Sequence, residues 1–352
     1  MSNVERIKLA FDLQSAWCAQ AGSPFMAELM AAIAADLAAG GASARAFGDW
    51  PGDPIADALA VRVAGALQAA ALSGRDPALA AQYPAARPDW NVKELWPIAQ
   101  AFLDRERDWV VAFIQSPPQT NETRRAVALL PGFLELAHNG PLHMLEIGAS
   151  AGLLQSWDKF RYQTASWSWG PEDGPLMDAE WRGSAPRDLD VRVEIASRAG
   201  CDRNPLDVNN ADQMLRLRSY VWADQKDRFA RLDAAIALAR RQQIHIDRAD
   251  AGLWLAEKLA GELPLGTTVL YHSVVSQYLS GETRSTMETA IADAASRATP
   301  ERRFAWLRFE PNPILDVDGP IDDMAVELQI WPEASKRIIA KAHGHGRWVE
   351  LL

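Results

Sequence analysis

Cysteine is almost missing from this chain of 352 residues, which contains only Cys18 and Cys201. Two cysteines are too few for a disulfide scaffold or for a cysteine-based metal site. Long apolar runs are missing as well, because Glu28 and Asp36 interrupt the most apolar helical stretch, residues 25–39. That stretch is also too short to cross a bilayer. We therefore expect no membrane partner.

Basic side chains are outnumbered, with 36 Lys and Arg against 46 Asp and Glu and a net charge of -10. Proteins that bind nucleic acid through its phosphates need a positive surface, so we expect no nucleic-acid partner. The first residues carry Glu5, Arg6, Lys8 and Asp12 where a secretory signal would need apolar residues. These absences predict a cytoplasmic protein that acts on a small-molecule substrate. No histidine spacing indicates a ligand set, so we expect no metal.

Strand signals are scarce in residues 1–140, which we assign to an all-helical N-terminal domain. Ser23 and Pro24 are typical of a helix start, with Ser23 as the cap and Pro24 as the first helical residue. Turn residues separate the predicted helices from one another. These helices span residues 3–19, 24–39, 54–72, 91–114 and 121–137.

Residues 141–352 show short apolar runs that alternate with helical segments, which is typical of parallel βαβ units. We expect a helix at residues 152–160 and another at 334–343. A segment rich in Gly, Pro and Trp, residues 162–186, is predicted to be an insertion. Seven strands are predicted, at residues 142–147, 191–196, 244–246, 268–272, 304–309, 325–330 and 347–351.

The most informative motif lies where the first predicted strand meets the next helix. Glu146 is followed by Gly148, Ala149, Ser150 and Gly152. The segment resembles the first motif of class I S-adenosylmethionine (SAM)-dependent methyltransferases, with a serine in place of the middle glycine. Glycines suit such a turn because it needs positive φ angles and leaves no room for a Cβ. We therefore predict that these five residues bind the cofactor.

Two other interpretations of the same residues stay open. A dinucleotide fingerprint requires a third glycine at Leu153, so NAD is disfavoured. The residues from Gly148 to Gly152 also match the G-x-S-x-G turn of α/β-hydrolases, in which Ser150 would be the nucleophile. That turn normally follows several strands, whereas here about 140 helical residues precede it. A purely structural glycine turn is the third possibility.

Acidic residues after the second and third predicted strands are candidates for the nucleoside part of the cofactor. Asp202 is predicted to accept hydrogen bonds from the ribose hydroxyls, although a plain turn residue is the alternative. Asp250, with Ala251 beside it, is predicted to contact adenine, and a helix cap explains it equally well. His272, at the end of the fourth strand, is the predicted catalytic base, with a structural hydrogen-bonded histidine as the alternative.

Substrate contacts are predicted from aromatic and polar side chains. Trp167 and Trp169 lie in the insertion, and tryptophans bind planar or cationic groups, although they are more often buried core. Tyr278 follows the fourth strand as a secondary candidate. Asn121 and Glu122 precede the helix that leads into the first strand, where capping is the alternative role.

Segments distributed along nearly the whole chain resemble an uncharacterised bacterial family, domain of unknown function 2332. The resemblance implies a helical N-terminal region joined to a methyltransferase-like Rossmann domain, and it implies no particular reaction. It rests on Ser23-Pro24, Gln119 to Glu122 with Arg125, Glu146 to Leu153 with Asp158, Gly200 to Asp202 with Pro205, Val221-Trp222 with Arg228 and Leu232, and Gly346 to Trp348.

Together these features predict an α/β protein, with an all-α domain in front of a seven-stranded Rossmann-like sheet of the methyltransferase type. The expected function is transfer of the methyl group of SAM to a small molecule. A SAM or nucleoside sensor without catalysis is the first alternative. A serine hydrolase that uses Ser150 is the second.

Overall fold

A computed structural model describes residues 2–320 and 323–352. The chain divides into two compact units: a helical unit, Met1–Thr120 with Asn210–Ala230, and a sheet unit, Asn121–Asn209 with Arg231–Leu352. This division differs from a single boundary near residue 140. A helix before that point groups with the sheet, and a later segment groups with the helices.

The helices of both units are named in chain order. They are α1 (Asn3–Gln20), α2 (Pro24–Ala38), α3 (Ala42–Phe47), α4 (Leu59–Leu72), α5 (Pro77–Ala80), α6 (Val92–Arg105), α7 (Arg107–Ile114), α8 (Ala126–Ala137), α9 (Ala211–Ser219), α10 (Lys226–Gln242), α11 (Ala251–Lys258) and α12 (Gly281–Arg297). In the described part of the chain, no helix combines the length and the apolar character that crossing a bilayer requires.

The start of α2 shows how sequence-distant residues complete the helical unit. Pro24 is its first residue, as expected, but the Ser23 side chain makes no capping hydrogen bond. The Ser23 hydroxyl instead donates to the Asp224 carboxylate, whose other oxygen accepts the Phe25 N–H at 3.1 Å. Asp224 therefore takes the capping role that we had assigned to Ser23. Only folding brings the two segments together.

The strands all lie in the sheet unit. They are β1 (Leu142–Ile147), β2 (Arg161–Gln163), β3 (Ser168–Trp169), β4 (Leu176–Asp178), β5 (Glu180–Arg182), β6 (Ile195–Asp202), β7 (Asp247–Arg248), β8 (Gly266–Ser273), β9 (Arg302–Pro311), β10 (Asp323–Trp331), β11 (Ser335–His343) and β12 (Trp348–Leu351).

Within the described residues, nine of these strands form one mixed sheet in the order β5-β12-β11-β10-β9-β8-β1-β6-β7. Strands β7, β6, β1, β8 and β9 run parallel. Strands β10, β11 and β12 continue the sheet with antiparallel pairs, and β5 pairs parallel to β12. The insertion forms β2–β5, of which β3-β2-β4 make a small second sheet. The prediction of seven strands is therefore wrong.

One of the extra strands, β11, occupies the segment that we predicted to be a helix. It pairs with β10, but the register shifts by one residue, because Val326 pairs with Ala340 and Glu327 with Ile338. Ile339 is left over, and both it and Ala340 are buried. Such a bulge breaks the alternation by which a strand is recognised in a sequence.

Three other local predictions need correction. The second strand of the parallel set is β6, which begins four residues after the predicted start at residue 191. The third is β7, which begins directly after the predicted strand at 244–246. Strand β6 is half exposed along much of its length, so it lacks a continuous apolar run. The predicted helix at 152–160 is a 3-10 helix, Leu153–Lys159.

The core of the sheet unit lies on both faces of its central strands. Every residue of β8 except Ser273 is buried. One face packs on α11 and α12 through residues such as Leu270, Trp254 and Met287. On the other face Phe133 of α8 contacts Tyr271 with ring centroids 5.3 Å apart. A sheet buried on both faces is typical of parallel α/β architecture.

Candidate functional site

The carboxyl ends of β1 and β8 define the candidate site. The chain leaves β1 for β6 on one side, whereas the later strands β8 and β9 lie on the other side. In open parallel sheets such a reversal of strand order opens a crevice at the carboxyl ends, and ligands bind there. The motif predicted to bind the cofactor follows β1 directly, so the fold places it at this point.

The turn after β1 is left-handed at three residues. Gly148, Ser150 and Gly152 have φ angles of +63°, +54° and +69°. A Cβ on Gly148 would lie 2.4 Å from a methyl carbon of Val275, and one on Gly152 would lie 2.6 Å from Ile244. Both glycines are therefore required by the packing of this chain against itself.

Asp202 holds this turn from the end of the neighbouring strand. Its Oδ2 accepts the Ser150 N–H at 2.9 Å, and its Oδ1 accepts the Asn204 N–H at 2.8 Å. The Ser150 carbonyl in turn accepts the Leu206 N–H at 3.1 Å. A carboxylate has about four acceptor positions. Asp202 therefore has a structural role and keeps capacity for two further donors.

The Ser150 side chain is buried and its hydroxyl makes no hydrogen bond in the described residues. A nucleophilic serine needs a base within hydrogen-bonding distance. No such base contacts Ser150 in this part of the chain, so the geometry does not support the hydrolase alternative.

Glu146 lies inside the sheet unit with an exposed fraction of 2%. Its Oε2 accepts the Tyr271 hydroxyl at 3.1 Å. Burial raises the pKa of the Glu146 carboxyl to about 8, and the nearby Asp202 charge adds to the increase. Glu146 therefore carries a proton at neutral pH. A neutral carboxyl that is buried and bonded to Tyr271 is poorly suited to bind a cationic ligand.

The raised pKa of Glu146 predicts a pH-dependent stability. Folding favours the protonated form, so this contribution is complete below the ordinary pKa of 4.5 and disappears as pH rises through about 8. We expect Glu146→Gln to be more stable than wild type at pH 9 and to lose most of that advantage at pH 5, a change of about 4 kcal/mol. Denaturant unfolding at both pH values measures it.

The exposed Glu350 offers a control for that measurement. Glu350→Gln should give the same difference from wild type at both pH values. Equal stability of Glu146→Gln and wild type at pH 9 would show that the buried carboxyl ionises without penalty.

Asp250 caps α11 and has little capacity left for a ligand. Its Oδ1 accepts the N–H groups of Gly252 and Leu253, at 2.9 and 3.4 Å. Its Oδ2 accepts the Arg203 guanidinium at 2.8 Å and the Thr283 hydroxyl at 2.6 Å. Four donors occupy the carboxylate, so the capping alternative describes Asp250 better than the predicted adenine contact.

Two alanines predicted to line the cofactor are buried. Ala149 is fully buried, and its N–H donates to the Cys201 carbonyl at 3.0 Å. Ala251 is the first residue of α11 and is 8% exposed. Small side chains in buried positions are consistent with a packing role for both alanines.

His272 is fully buried, and both of its ring nitrogens have partners. Nδ1 lies 2.7 Å from Glu310 Oε1, and Nε2 accepts the Trp306 indole N–H at 3.1 Å. Because an indole only donates, Nε2 carries the lone pair and the ring proton sits on Nδ1. The lone pair that a base would use is therefore already engaged. These contacts favour the structural alternative for His272, and its role as the catalytic base stays a prediction.

Asn121 and Glu122 both act as local caps. Asn121 Oδ1 accepts the Leu153 N–H at 3.0 Å, at the start of the 3-10 helix that follows the glycine turn. Glu122 is buried, and its Oε1 accepts the Arg124 N–H at 3.3 Å. Asn121 thus contacts the residue that follows the glycine turn, from a segment 32 residues earlier.

The predicted aromatic contacts separate into core and surface. Trp167 is 7% exposed and packs edge-on against Trp181, with centroids 4.8 Å apart. Trp169 stacks on the fully buried Trp157 at 5.9 Å. These tryptophans belong to the core of the sheet unit. Tyr278, in contrast, is 72% exposed beside the β8 end of the site.

Sequence reasoning missed a charged cluster in the sheet unit. Asp178 of β4 accepts the Arg124 guanidinium at 2.9 and 3.1 Å and the Arg231 guanidinium at 2.9 Å. Both arginines are less than 10% exposed. Arg124 was adjacent to the polar segment that we had singled out. Asp178 and Arg231 gave no signal, because only the fold brings them together.

No group of three or more metal-ligating side chains occurs in residues 2–320 and 323–352.

Comparison with known proteins identifies the family. Residues 8–351 match the family model described as "Uncharacterized protein conserved in bacteria (DUF2332)". The chain belongs to this family, as its resemblance predicted. No curated protein and no solved structure matches the chain.

Proposed function

We propose that the sheet unit binds SAM at the carboxyl ends of β6, β1 and β8, and that the protein transfers its methyl group to a small molecule. The observation that carries this proposal is the order β7-β6-β1-β8-β9 with a left-handed glycine turn after β1. This is the arrangement expected of a nucleotide-binding Rossmann-like sheet. The methyltransferase type of this Rossmann-like fold is part of the proposal, on a sheet of nine strands rather than seven.

Asp202 is the residue best suited to the ribose of the cofactor. It lies at the end of the strand next to β1, and its carboxylate retains capacity for two donors after holding Ser150 and Asn204. Charge-assisted hydrogen bonds to a carboxylate are stronger than neutral ones. When bound, the cofactor would supply an activated methyl group on a sulfonium. The chain's own residues position the reactants and exclude water.

A non-catalytic sensor is the second candidate, and His272 is the observation that favours it. The predicted base has no free lone pair, because Trp306 occupies it. Binding without transfer would need no base. The two candidates therefore share a site and differ in whether a product forms.

Ligand-dependent melting tests the shared part of the proposal. At a SAM concentration about 100 times the dissociation constant, stability should rise by about 2.7 kcal/mol. S-adenosylhomocysteine should act similarly, and NAD should not shift the melt. No shift with millimolar SAM or S-adenosylhomocysteine would contradict the proposal. Methyl-labelled SAM incubated with a small-molecule extract then separates enzyme from sensor, since only an enzyme produces labelled product.

A further inference from the structure

The loop after β8 is held in an unusual conformation. Val274 has a φ of +59°, in the left-handed region that β-branched residues rarely adopt. Such a conformation is unfavourable by itself and persists only where surrounding contacts determine it. The contacts around this loop are therefore the interactions that keep Val274 in its left-handed conformation.

Those contacts engage the loop backbone at successive residues. The Val274 N–H donates to the Phe309 carbonyl at 2.8 Å. The Val275 and Ser276 N–H groups both donate to Glu310 Oε1, at 2.9 and 3.1 Å. One carboxylate oxygen thus fixes two consecutive amides of the loop.

Glu310 is itself held by a buried chain of side chains. It accepts the His272 ring proton at 2.7 Å, and His272 accepts the Trp306 indole N–H at 3.1 Å. Burial alone would raise the pKa of Glu310, but the hydrogen bond from His272 and those from the loop amides outweigh it. The pKa of Glu310 lies below its usual value. Trp306, His272 and Glu310 all lie on β8 or β9, which are inner strands of the nine-stranded sheet.

The loop, in turn, packs on the predicted cofactor turn. A Cβ on Gly148 would meet the Val275 side chain at 2.4, 3.0 and 3.3 Å. Val275 is 8% exposed, so its side chain fills the space beside the turn. The position of Val275 consequently limits the conformation that Gly148 can adopt.

We propose that the hydrogen bonds from Trp306 to His272 and from His272 to Glu310 form a positioning device. This device holds Val275 against the Gly148 turn and thereby sets the shape of the ligand site. Its role in ligand binding rests on the proposed function, whereas its effect on the loop does not. Glu310 and His272 act through Val275, so they are positioning residues.

Hydrogen exchange of Glu310→Gln tests the device without a ligand. The variant keeps an acceptor oxygen and removes the charge that holds the two amides. We expect exchange in residues 273–279 and 146–152 to accelerate by ~10-fold or more, because local opening becomes easier. Exchange in α12 should stay at the wild-type rate. Unchanged exchange in both segments would overturn the proposal.

Glu327 provides a matched control on the neighbouring strand β10. It is also a buried carboxylate, 1% exposed, and it accepts the Arg308 guanidinium at 2.9 Å and the Gln329 amide at 2.7 Å. Glu327→Gln should leave exchange in residues 273–279 and 146–152 at the wild-type rate. An equal acceleration in both variants would point to general loosening of the sheet and would also overturn the proposal.

If Glu310→Gln does not fold, a double-mutant cycle tests the contact between Val275 and the Gly148 turn, on which the proposal depends. Gly148→Ala should lower the melting temperature, because its Cβ meets Val275 and its φ is positive. Val275→Ala removes both methyl carbons nearest to that Cβ, so the double variant should recover part of the loss. Additive losses would show that Val275 does not press on the turn.

Measuring SAM binding separates the proposed function from the proposed effect of Glu310 on the loop. In Glu310→Gln we expect the dissociation constant of SAM to rise ~10-fold, which corresponds to about 1.4 kcal/mol. If wild type binds no SAM but the exchange result holds, the proposed function fails and the device stands. If wild type binds SAM and Glu310→Gln binds it equally well, the device does not set the ligand site.

Discussion

Asp202→Ala is expected to weaken SAM binding by ~30-fold to 1000-fold, since a carboxylate that accepts two ribose hydroxyls contributes roughly 2–4 kcal/mol. The structure adds a second consequence. Removing the carboxylate also leaves the Ser150 and Asn204 N–H groups without their acceptor. Because Asp202 is only half buried, water can replace part of that interaction, and we expect a loss of about 1 kcal/mol in stability. Calorimetric titration and denaturant unfolding measure the two effects separately.

Asp53 offers a matched control for this variant. Its Oδ1 accepts the Ile55 and Ala56 N–H groups at 2.8 and 2.9 Å, so it holds a turn as Asp202 does, but in the helical unit. Asp53 is exposed, so Asp53→Ala should cost less stability than Asp202→Ala, and it should leave SAM affinity unchanged. If both variants bind SAM as wild type does, Asp202 is a turn residue only, and the ribose contact must be sought elsewhere.

Apolar runs and the glycine motif allowed the central strands and the turn after β1 to be predicted. Strands β1, β8 and β9 were found within two residues of their observed ends, because continuous apolar runs mark strands that are buried on both faces. The turn after β1 was predicted from glycine spacing, and its φ angles of +63° and +69° at Gly148 and Gly152 agree with that reasoning. Local chemistry determines these features, so a single sequence reveals them.

Features that depend on long-range pairing were not predicted. Strand β11 was predicted to be a helix, because the bulge at Ile339 breaks its alternation and the pairing with β10 is not visible in the segment itself. The capping of α2 by Asp224 joins residues about 200 positions apart. Both cases show pairing partners overriding local pattern.

The candidate site shows the same limit. His272 lies where the sequence placed it, at the end of β8, but its role depends on Trp306 and Glu310 of the next strand. For Asp250 the structure favours the alternative role of helix cap. Thr283 and Arg203 donate to the same carboxylate, and the local sequence does not reveal these two contacts. Position in a fold is easier to predict than the partners that consume a side chain's hydrogen-bonding capacity.

Trp157→Ala is expected to destabilise the sheet unit by about 3–5 kcal/mol, the usual cost of deleting a large buried aromatic side chain. Trp157 is fully buried between two rings, with centroid distances of 4.3 Å to Phe133 and 5.9 Å to Trp169. Its indole nitrogen makes no hydrogen bond in the described residues. Trp157→Phe should therefore lose much less, because it keeps a stacked ring and removes an unpaired buried N–H. Denaturant unfolding followed by circular dichroism measures both variants.

Trp17 of the helical unit is the comparison, since it is 41% exposed. Trp17→Ala should cost clearly less than Trp157→Ala, because much of its surface already contacts water. The result also decides between two roles for the tryptophans beside the insertion. If Trp157→Ala unfolds like wild type but loses affinity for a ligand, the stacked rings form a binding wall. The expected large loss of stability would instead show that the stacked rings anchor the 3-10 helix, which carries Trp157, in the core of the sheet unit.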